Sequence, residues 1–573
     1  MRQRERRERR ERAWALRFFA VTGAIWLGTS AIFGALVVNW TQSVSIAQFG
    51  LMVFFLFSFA WVFTRRLFSL VLPPFRLPAL DRLSRRPRVA ILYTTMNDVV
   101  PDCVRAIRQE YPCDVFLLDD SSDPAKRDVV DRLAAEMGFR VLRRTNREGF
   151  KAGAINHWLR LHGSTCDYFV LLDADSVLPR DWVARALRYA EHPENADLAI
   201  FQGMINIWNT DGSFAKTLAQ PHVISHDEWE RKMAGYLGAV VCYGHNVLIR
   251  TKPVLDLGGF DERYVSEDFA TAVALASRGH GSTFVPLHSW EALPENVRGF
   301  VRRQNKWTRS SMEFFTFVPS AKLPLHKKMM LLTIPWGHLA YVAIMLAVFL
   351  AVFGRLSSFT AFVAFGRNLA SAPLEYIWSI PLFRFLIVLS VITSCVSVAK
   401  IVQVRLSFMA FYRARRLSRA IGALMLPHEV RSMAMYVIDR RRRFPVTPKD
   451  EPPMTMREIL SLGRGTVVLI AFVTAGLAIV NPIGLYYNIL WLVPFFTSPA
   501  ILHHYCGPRA AAGPMANGGS RDLLTDPRLR TALDRPPYQV PRAPLPATPV
   551  AAALRKPGNE GISTATETPP DDS

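Results

Sequence analysis

The sequence predicts an α/β domain with a mixed, mostly parallel sheet, inserted in an all-α membrane domain of about six transmembrane helices. Three observations lead to this prediction. Apolar runs flank a central block, short apolar strands alternate with amphipathic helices inside that block, and two of those strands end in paired aspartates. At 573 residues the chain is also too long for one ordinary domain.

The membrane part is predicted from apolar runs that can each cross about 30 Å of hydrocarbon. The loop between the first two runs carries no Lys or Arg, whereas the segment 403–465 carries thirteen such residues, nearly all Arg, so both termini and the two large loops are expected on the cytoplasmic side. The fifth run is short and ends at Asn481-Pro482. The six runs lie near 17–38, 46–64, 331–353, 377–400, 465–480 and 484–502.

The expected organisation along the chain follows from these runs and from two cation-rich apolar segments that are expected to lie flat at the lipid head groups. Those segments are AKLPLHKKMMLLTIP and FYRARRLSRAIGALML. The predicted divisions are a basic N-terminus (1–16), helices 1 and 2 (17–72), a catalytic domain (87–320), an interface helix with helices 3 and 4 (321–402), cytoplasmic interface helices with a loop (403–464), helices 5 and 6 (465–505) and a disordered tail (506–573).

The central block is predicted to hold a parallel sheet because its apolar strands are separated by amphipathic helices. The strands are RVAILYTT, CDVFLLDD, FRVLRR, DYFVLLDA and LAIFQGMI, and the helices include AKRDVVDRLAAEMG and PRDWVARALRYAEH. In open sheets of this kind a ligand lies beyond the carboxyl ends of the strands. Asp119-Asp120 and Asp173-x-Asp175 are both expected at that edge.

The net charge of +22 does not indicate a nucleic-acid-binding protein, because the basic residues lie mostly beside apolar runs and no nucleic-acid motif accompanies them. The six cysteines are scattered, without a CxxC pair or a Cys/His cluster. Neither a zinc site nor a disulfide framework is expected.

The two aspartate pairs are the first candidates for binding a nucleotide sugar. Asp173 and Asp175 offer hard oxygen ligands that would hold Mg²⁺ or Mn²⁺ against a diphosphate. The alternative is that Asp175 or Ser176 only caps the following helix. Asp119 and Asp120 would accept hydrogen bonds from the nucleoside, or would form only the turn DDSSD.

Lys151 is a further candidate for donor binding. It lies at a predicted loop-to-helix junction in REGFKAGAINHWL, where a cation and free backbone amides could bind a phosphate. A solvent-exposed lysine at a helix N-terminus is the alternative.

Asp268 is the candidate general base for the acceptor hydroxyl, with Glu267 beside it. The alternative is that both only form the acidic first turn of the helix DFATAVALASRG, which the helix dipole favours. Trp307 could stack on a sugar while Arg303 and Lys306 stabilise the departing diphosphate. Such a basic-aromatic run can also be a membrane-border anchor.

An ordered set of motifs resembles the processive family 2 glycosyltransferases, and bacterial cellulose synthases among them. The motifs are LLDDSSD, KAGAINH, LLDADS, FQGMINIWN, CYGHNVLIR, GGFDERYVSEDFATA and RRQNKW, within about residues 88–310. The resemblance implies a GT-A fold, inverting transfer from a UDP-sugar, and export of the polymer through transmembrane helices.

The same resemblance implies residue roles. Asp119 or Asp120 would contact the nucleotide, and Asp173 and Asp175 would hold the metal and diphosphate. Asp268 matches the base of the Thr-Glu-Asp motif, and Trp307 matches the acceptor-binding tryptophan of Gln-x-x-Arg-Trp.

RRFPVTPKD resembles the Phe-x-Val-Thr-x-Lys gating loop of cellulose synthases, with Phe444, Val446, Thr447 and Lys449 at the motif positions. Thr447 and Lys449 would approach the nucleotide and exclude water when substrate binds. The alternative is an Arg-rich loop at lipid head groups.

The sequence departs from the cellulose-synthase pattern at the acceptor end. Arg303 replaces the usual Gln and Lys306 the usual Arg, which keeps a cation but loses the planar fork. Gly244-His245-Asn246 is more similar to the osmoregulated periplasmic glucan synthases, and it makes His245 a candidate acceptor-binding residue. No PilZ-like Arg-x-x-x-Arg site follows in the tail.

The combined expectation is a multi-pass enzyme of the bacterial inner membrane with a cytoplasmic catalytic domain. It would use a UDP-sugar donor, a glucan acceptor chain and Mg²⁺ or Mn²⁺, and it would lie within a lipid bilayer. A periplasmic accessory subunit could associate with it, whereas nucleic acid is not an expected partner. The rival hypotheses are a non-processive transferase acting on a lipid carrier, a β-glucan synthase of non-cellulose linkage, and a six-span transporter.

Overall fold

The computed structural model describes residues 2–210, 212–225, 229–354, 356–439 and 451–508. The predicted gating-loop residues Phe444, Val446, Thr447 and Lys449 lie outside the described residues, and so does nearly all of the predicted tail. Their assignments stay predictions.

A seven-stranded mixed sheet forms the centre of the catalytic domain. Its strand order is β3-β2-β1-β4-β6-β5-β7, and only β6 runs antiparallel to its neighbours β4 and β5. The predicted mixed, mostly parallel sheet is therefore confirmed. The strands are β1 Val89–Thr95, β2 Cys113–Asp119, β3 Arg140–Leu142, β4 Tyr168–Leu172, β5 Leu198–Ile207, β6 Val247–Arg250 and β7 Gly281–Glu291.

Both faces of the sheet are covered, which explains why its strands are apolar runs rather than alternating ones. In β1, Ile91 and Tyr93 face one buried cluster, while Ala90 and Leu92 face the other. Successive side chains of a strand point to opposite faces, so each face needs its own apolar set. β4 and β5 are buried along their whole length.

Helices and short connections pack around this sheet. Asp123 accepts a hydrogen bond from the Ala125 N–H as the N-cap of α4, and Gly138 ends that helix in the left-handed region. The helices of the block are α3 Pro101–Arg105, α4 Pro124–Met137, α5 Phe150–His162, α6 Trp182–Ala190, α7 Ser213–Ser225, α8 Arg231–Leu237, α9 Thr251–Leu257, α10 Glu267–Ser277, α11 Val297–Ser311 and α12 Phe314–Phe317.

Among the described residues, the regular elements of the flanking segments are all helices. They comprise α1 Arg2–Leu36, α2 Ser43–Val71, α13 Leu325–Phe353, α14 Phe359–Ser371, α15 Pro373–Ser379, α16 Pro381–Gln403, α17 Phe408–Ile438, α18 Met456–Leu462, α19 Arg464–Val480 and α20 Gly484–Cys506. Within the described residues, four helices are long and apolar enough to cross a membrane, in the ranges Gln3–Leu36, Ser43–Val71, Leu325–Ala347 and Pro381–Gln403.

The predicted count of about six spans is not confirmed. The pair α18 and α19 reaches the length and apolarity of a fifth span only when taken together, and it is bent by 72° at its break. The sequence analysis placed the fifth span at 465–480. This range corresponds to α19 alone, a helix of 17 residues.

The two segments expected to lie flat at the head groups belong to longer helices. AKLPLHKKMMLLTIP runs into α13 without a break from Leu325 onward. The Arg-rich segment lies inside α17, whose Leu417 and Ile421 pack with Val301 of α11 and Leu502 of α20. That apolar face is buried against protein, and the position of this segment relative to the head groups stays a prediction.

Candidate active site

A cavity of about 770 Å³ lies at the carboxyl edge of the parallel strands. β1, β2 and β4 end at this edge, α10 and α11 form the opposite wall, and α2 and α13 line the membrane side. The cavity brings together most of the predicted site residues. Those that line it are Asp120, Lys151, Asp173, Asp175, His245, Glu267, Asp268, Arg303, Lys306 and Trp307.

The two aspartates after β4 both line the cavity. Asp173 Oδ1 accepts a hydrogen bond of 2.5 Å from the Lys151 ammonium, and Asp175 Oδ2 accepts one of 3.2 Å from the Ala292 N–H. The helix-cap alternative is not observed, because the next helix, α6, begins at Trp182 with Asp181 as its N-cap.

The carboxylate oxygens of Asp173 and Asp175 fit a hard divalent cation that is also bound by a diphosphate. Within the described residues, no group of three or more His, Cys, Asp or Glu side chains is arranged to hold a metal. Asp173 and Asp175 could therefore supply only part of a coordination shell. Mg²⁺ is commonly bound in this way, through one or two carboxylates plus substrate phosphates.

The consecutive aspartates after β2 occupy different environments. The Asp119 side chain is fully buried, accepts a 2.7 Å hydrogen bond from Arg143 Nε, and does not line the cavity. Asp120 lines the cavity and accepts two hydrogen bonds from Arg144, at 2.9 and 2.6 Å. Of the two residues proposed for the nucleoside, only Asp120 reaches the cavity.

The different positions of Asp119 and Asp120 predict different effects when each is replaced by Asn. Asp120→Asn is expected to weaken UDP binding about tenfold, because a charged hydrogen-bond acceptor in the cavity is lost. Asp119→Asn should leave the UDP dissociation constant within about threefold and instead lower the melting temperature, because Arg143 loses its buried partner. Isothermal titration and thermal unfolding of both variants check this prediction, and equal losses of UDP affinity would contradict it.

Lys151 is held at the start of α5 as a buried cation. Burial alone would lower its pKa, but the carboxylates of Asp173, Glu267 and Asp268 outweigh burial and raise that pKa. Its ammonium also donates to the Gly244 carbonyl at 2.8 Å. The lysine is therefore not the exposed helix-terminal residue of the alternative hypothesis; it is a fixed positive charge next to Asp173.

Glu267 and Asp268 form the first turn of α10 and face the same cavity. Burial raises the pKa of Glu267 to about 8, with a further rise from the charge of Asp268. Burial likewise raises the pKa of Asp268, against the hydrogen bond that its carboxylate accepts from the Phe269 N–H at 2.7 Å. A raised carboxyl pKa suits a general base that works near neutral pH.

The raised pKa of Glu267 predicts a pH dependence of stability. Between about pH 4.5 and 8 the folded state holds a proton that the unfolded state has released, so the free energy of unfolding falls as pH rises through this window. Glu267→Gln should remove this slope. We expect the melting temperature of the native protein, relative to that of the variant, to drop from pH 5 to pH 8 in metal-free buffer. Parallel curves would contradict the assignment.

His245, the candidate acceptor-binding residue, lies between Glu291 and Asp173. Its Nε2 is 2.6 Å from Glu291 Oε2, and its Nδ1 is 3.7 Å from Asp173 Oδ2. Burial alone would lower the pKa of His245, but the two carboxylates raise it. The preceding Gly244 has φ +71°, and a Cβ there would lie 3.0 Å from Asp268 Oδ2, which explains the glycine in Gly-His-Asn.

α11 contributes an aromatic and cationic wall. Trp307 is 46% exposed and faces the cavity, and the Arg303 guanidinium lies 4.6 Å from the centre of its ring. Burial lowers the pKa of Lys306, against the carboxylates of Asp173 and Glu267. The three side chains therefore present a ring and two cations to the space next to the aspartates.

Sequence reasoning missed several residues that line the cavity. Glu291 ends β7, a strand that the sequence did not predict, and Arg147 follows β3. Trp61 of α2 and His338 of α13 line the membrane side. His338 could have been found, because an ionisable residue within an apolar span is a signal of function.

Comparison with known proteins assigns the family. Residues 168–504 match the family described as Glycosyl transferase family group 2. The chain belongs to this family. The family 2 assignment makes the protein a glycosyltransferase and excludes the transporter hypothesis.

Two curated relatives of this family 2 glycosyltransferase share the name Glucans biosynthesis glucosyltransferase H. The protein from Xylella fastidiosa is 26% identical over 376 residues, covering 57% of this chain and 59% of the relative. The protein from Escherichia coli K12 is 28% identical over 255 residues, covering 40% of this chain and 29% of the relative. The chain thus spans less than two thirds of the length of these relatives.

The family 2 chain is also similar to solved structures. The mannosyltransferase PcManGT from Pyrobaculum calidifontis, in complex with GDP-Man and Mn²⁺, has a TM-score of 0.41 and 21% identity, and the match covers 63% of this chain and 98% of that one. Staphylococcus aureus TarS 1–349 in complex with UDP has a TM-score of 0.31 and 12% identity, with 63% and 95% covered.

Proposed function

We propose that the protein is a membrane-embedded glucosyltransferase that transfers glucose from UDP-glucose, with inversion, to a growing β-linked glucan and exports the product. One observation carries the proposal. The paired carboxylates at the strand edge, the carboxylates of α10 and Trp307 share one cavity, and that cavity is walled by two helices able to cross a membrane.

The donor end of the cavity suits a nucleoside diphosphate. Asp120 offers acceptor oxygens for the nucleoside, while Lys151 and Lys306 provide positive charge beside Asp173. A divalent cation bound by Asp173 and Asp175 would neutralise the diphosphate and make it a better leaving group. The two lysines would hold the same phosphates in place and balance the charge that develops when the bond to the sugar breaks.

The opposite wall suits the acceptor. Asp268 would take the proton of the attacking hydroxyl through its carboxylate, whose pKa is raised by burial, while Glu267 beside it holds its own proton up to about pH 8. Trp307 presents an exposed ring on which a sugar could stack. Attack from this wall on a donor held at the other gives inversion at the anomeric carbon.

The membrane side supports export of a product. The cavity continues between α2 and α13, where Trp61, Ile334 and His338 line it. His338 Nδ1 lies 2.8 Å from Glu429 Oε2 on α17, and Thr308 of α11 donates to the same carboxylate. This polar network joins the acceptor wall to the helices that would enclose the outgoing chain.

The names of the two relatives favour a glucan over other products, and both relatives are bacterial. We therefore place the protein in the bacterial inner membrane, with the catalytic domain in the cytoplasm. Gly244-His245-Asn246 and Lys306 favour a linkage other than that of cellulose. A single transfer to a lipid carrier is the second candidate, because α2 and α13, two helices able to cross a membrane, line the cavity.

The test uses the full chain in nanodiscs with Mg²⁺ and a panel of radiolabelled UDP-sugars. We expect incorporation from UDP-glucose only, into a polymer that a β-glucan hydrolase of one linkage specificity degrades. A lipid-extractable product carrying one sugar would support the second candidate instead. Release of UDP without any glycosylated product, or preference for another sugar, would contradict the proposal.

A further inference from the structure

A second cavity, of about 590 Å³, lies on another side of the catalytic domain. It is enclosed by the first turns of α1, the segment after α2, helix α8 and strand β7. No residue of the described ranges lines both cavities: Met233 of α8 faces the active site, while Ala234 and Gly235 face this second cavity.

The second cavity is lined by several arginines, and carboxylates neutralise only part of their positive charge. Arg7 is already paired with Asp197 at 3.0 Å, and the lining carboxylate of Glu11 is paired with Lys327 at 2.9 Å. Glu194 lies in the lining and is exposed, and its backbone carbonyl accepts from Arg7.

Three further arginines surround the cavity without such a partner. Among the described residues, Arg6, Arg10 and Arg76 form no ion pair within 4 Å. Arg6 and Arg10 are four residues apart on α1, a spacing at which like charges destabilise a helix. Cations held together around one space favour binding of an anion, and the guanidinium fork matches phosphate oxygens in particular.

The floor of the cavity provides an apolar surface next to these charges. The Phe75 ring packs so closely on α8 that a Cβ at Gly235 would lie 2.1 Å from it, and Tyr236 meets the same ring edge-on at 5.3 Å. The Arg10 guanidinium lies 5.3 Å from the centre of the Phe75 ring. The cation is therefore held at the cavity by stacking.

The position along α1 favours a soluble ligand over a lipid head group. Arg17 is the last charged residue before the apolar run of α1, which begins at Phe18. At 1.5 Å per residue, Arg6 lies about 18 Å along the helix from Phe18. The head-group layer is only about 5–8 Å deep on each side of the hydrocarbon.

We propose that this second cavity binds a soluble anion carrying two or more phosphate groups, held by Arg6, Arg10 and Arg76. The site is separate from sugar transfer, so the proposal does not depend on the proposed function. It predicts that the protein has an anion site that UDP in the active site does not block.

The test measures binding of radiolabelled pyrophosphate to the full chain in phosphatidylcholine nanodiscs in metal-free buffer, where the active site would lack the cation that holds a diphosphate. We expect one site that is weakened at least about tenfold in the double variant Arg6→Gln/Arg76→Gln. The matched control is Arg9→Gln, an exposed arginine of the same helix outside the cavity lining, which should change affinity less than twofold. UDP binding to each variant reports that it is folded.

A second arm repeats the measurement with radiolabelled phosphatidylglycerol in the nanodiscs. If only this lipid is retained by the native protein and lost in the double variant, the cavity binds the phosphate of a lipid head group and the proposal of a soluble ligand is wrong. If neither pyrophosphate nor phosphatidylglycerol binding differs between the double variant and the Arg9→Gln control, the proposal is wrong.

Discussion

Asp268→Asn is expected to lower the rate of sugar transfer by about 10²–10⁴-fold, the usual contribution of a general base. The amide keeps the shape of the side chain but cannot accept the proton of the acceptor hydroxyl. The native carboxylate lines the cavity, and its pKa is raised by burial, which suits the proposed proton transfer. UDP binding should stay within about threefold, because Asp268 lies on α10 rather than at the strand edge that would hold the diphosphate.

The matched control for this prediction is Asp256→Asn. Asp256 is an exposed carboxylate of α9 that pairs with Lys252 at 3.0 Å, outside the cavity lining. The Asp256→Asn substitution should leave the rate of sugar transfer unchanged. Polymer synthesis at a native rate by Asp268→Asn would remove Asp268 from the role of base.

Asp175→Asn is the second substitution with a large expected effect. Transfer should fall at least about a hundredfold, because a hard anionic ligand for the divalent cation is replaced by a neutral amide. The Mg²⁺ concentration that gives half-maximal activity should rise in the same variant. Asp175 is 5% exposed and accepts from the Ala292 N–H, so its carboxylate is held in one orientation toward the cavity.

Asp181→Asn provides the comparison for Asp175. Asp181 follows on the same connection between β4 and α6, but it pairs with Arg185 at 3.3 Å on the surface and does not line the cavity. The Asp181→Asn variant should keep the native rate of sugar transfer and the native Mg²⁺ dependence. If Asp175→Asn also kept the native Mg²⁺ dependence, a metal role for Asp173-x-Asp175 would be untenable.

Much of the catalytic fold could be predicted because β1, β2 and β4 near the site are largely apolar runs. Two of these strands, β2 and β4, also lead directly into paired aspartates. β7 could not be predicted, because its sequence GSTFVPLHSWE mixes polar residues and Pro286 with apolar ones and does not follow a simple strand pattern. β6 has only four residues, so its pattern is too short to identify.

The candidate site was predicted as a set of residues but not as a set of contacts. The sequence could not distinguish Asp119 from Asp120, because their difference depends on pairing with Arg143 and Arg144 from β3 and the segment after it. His245 was expected near the acceptor, yet it contacts Glu291, and that partner depends on β7. Long-range pairing of this kind leaves no local signal in the chain.

The central claim is that acids from separate segments bind one nucleotide and one metal ion in a cavity that opens toward the membrane helices. A cryo-electron microscopy structure of the full chain in nanodiscs with UDP and Mn²⁺ tests it most directly. We predict nucleoside density beside Asp120, and Mn²⁺ between the diphosphate and the carboxylates of Asp173 and Asp175, within reach of Lys151. UDP bound outside this cavity, or a diphosphate far from both aspartates, would contradict the claim.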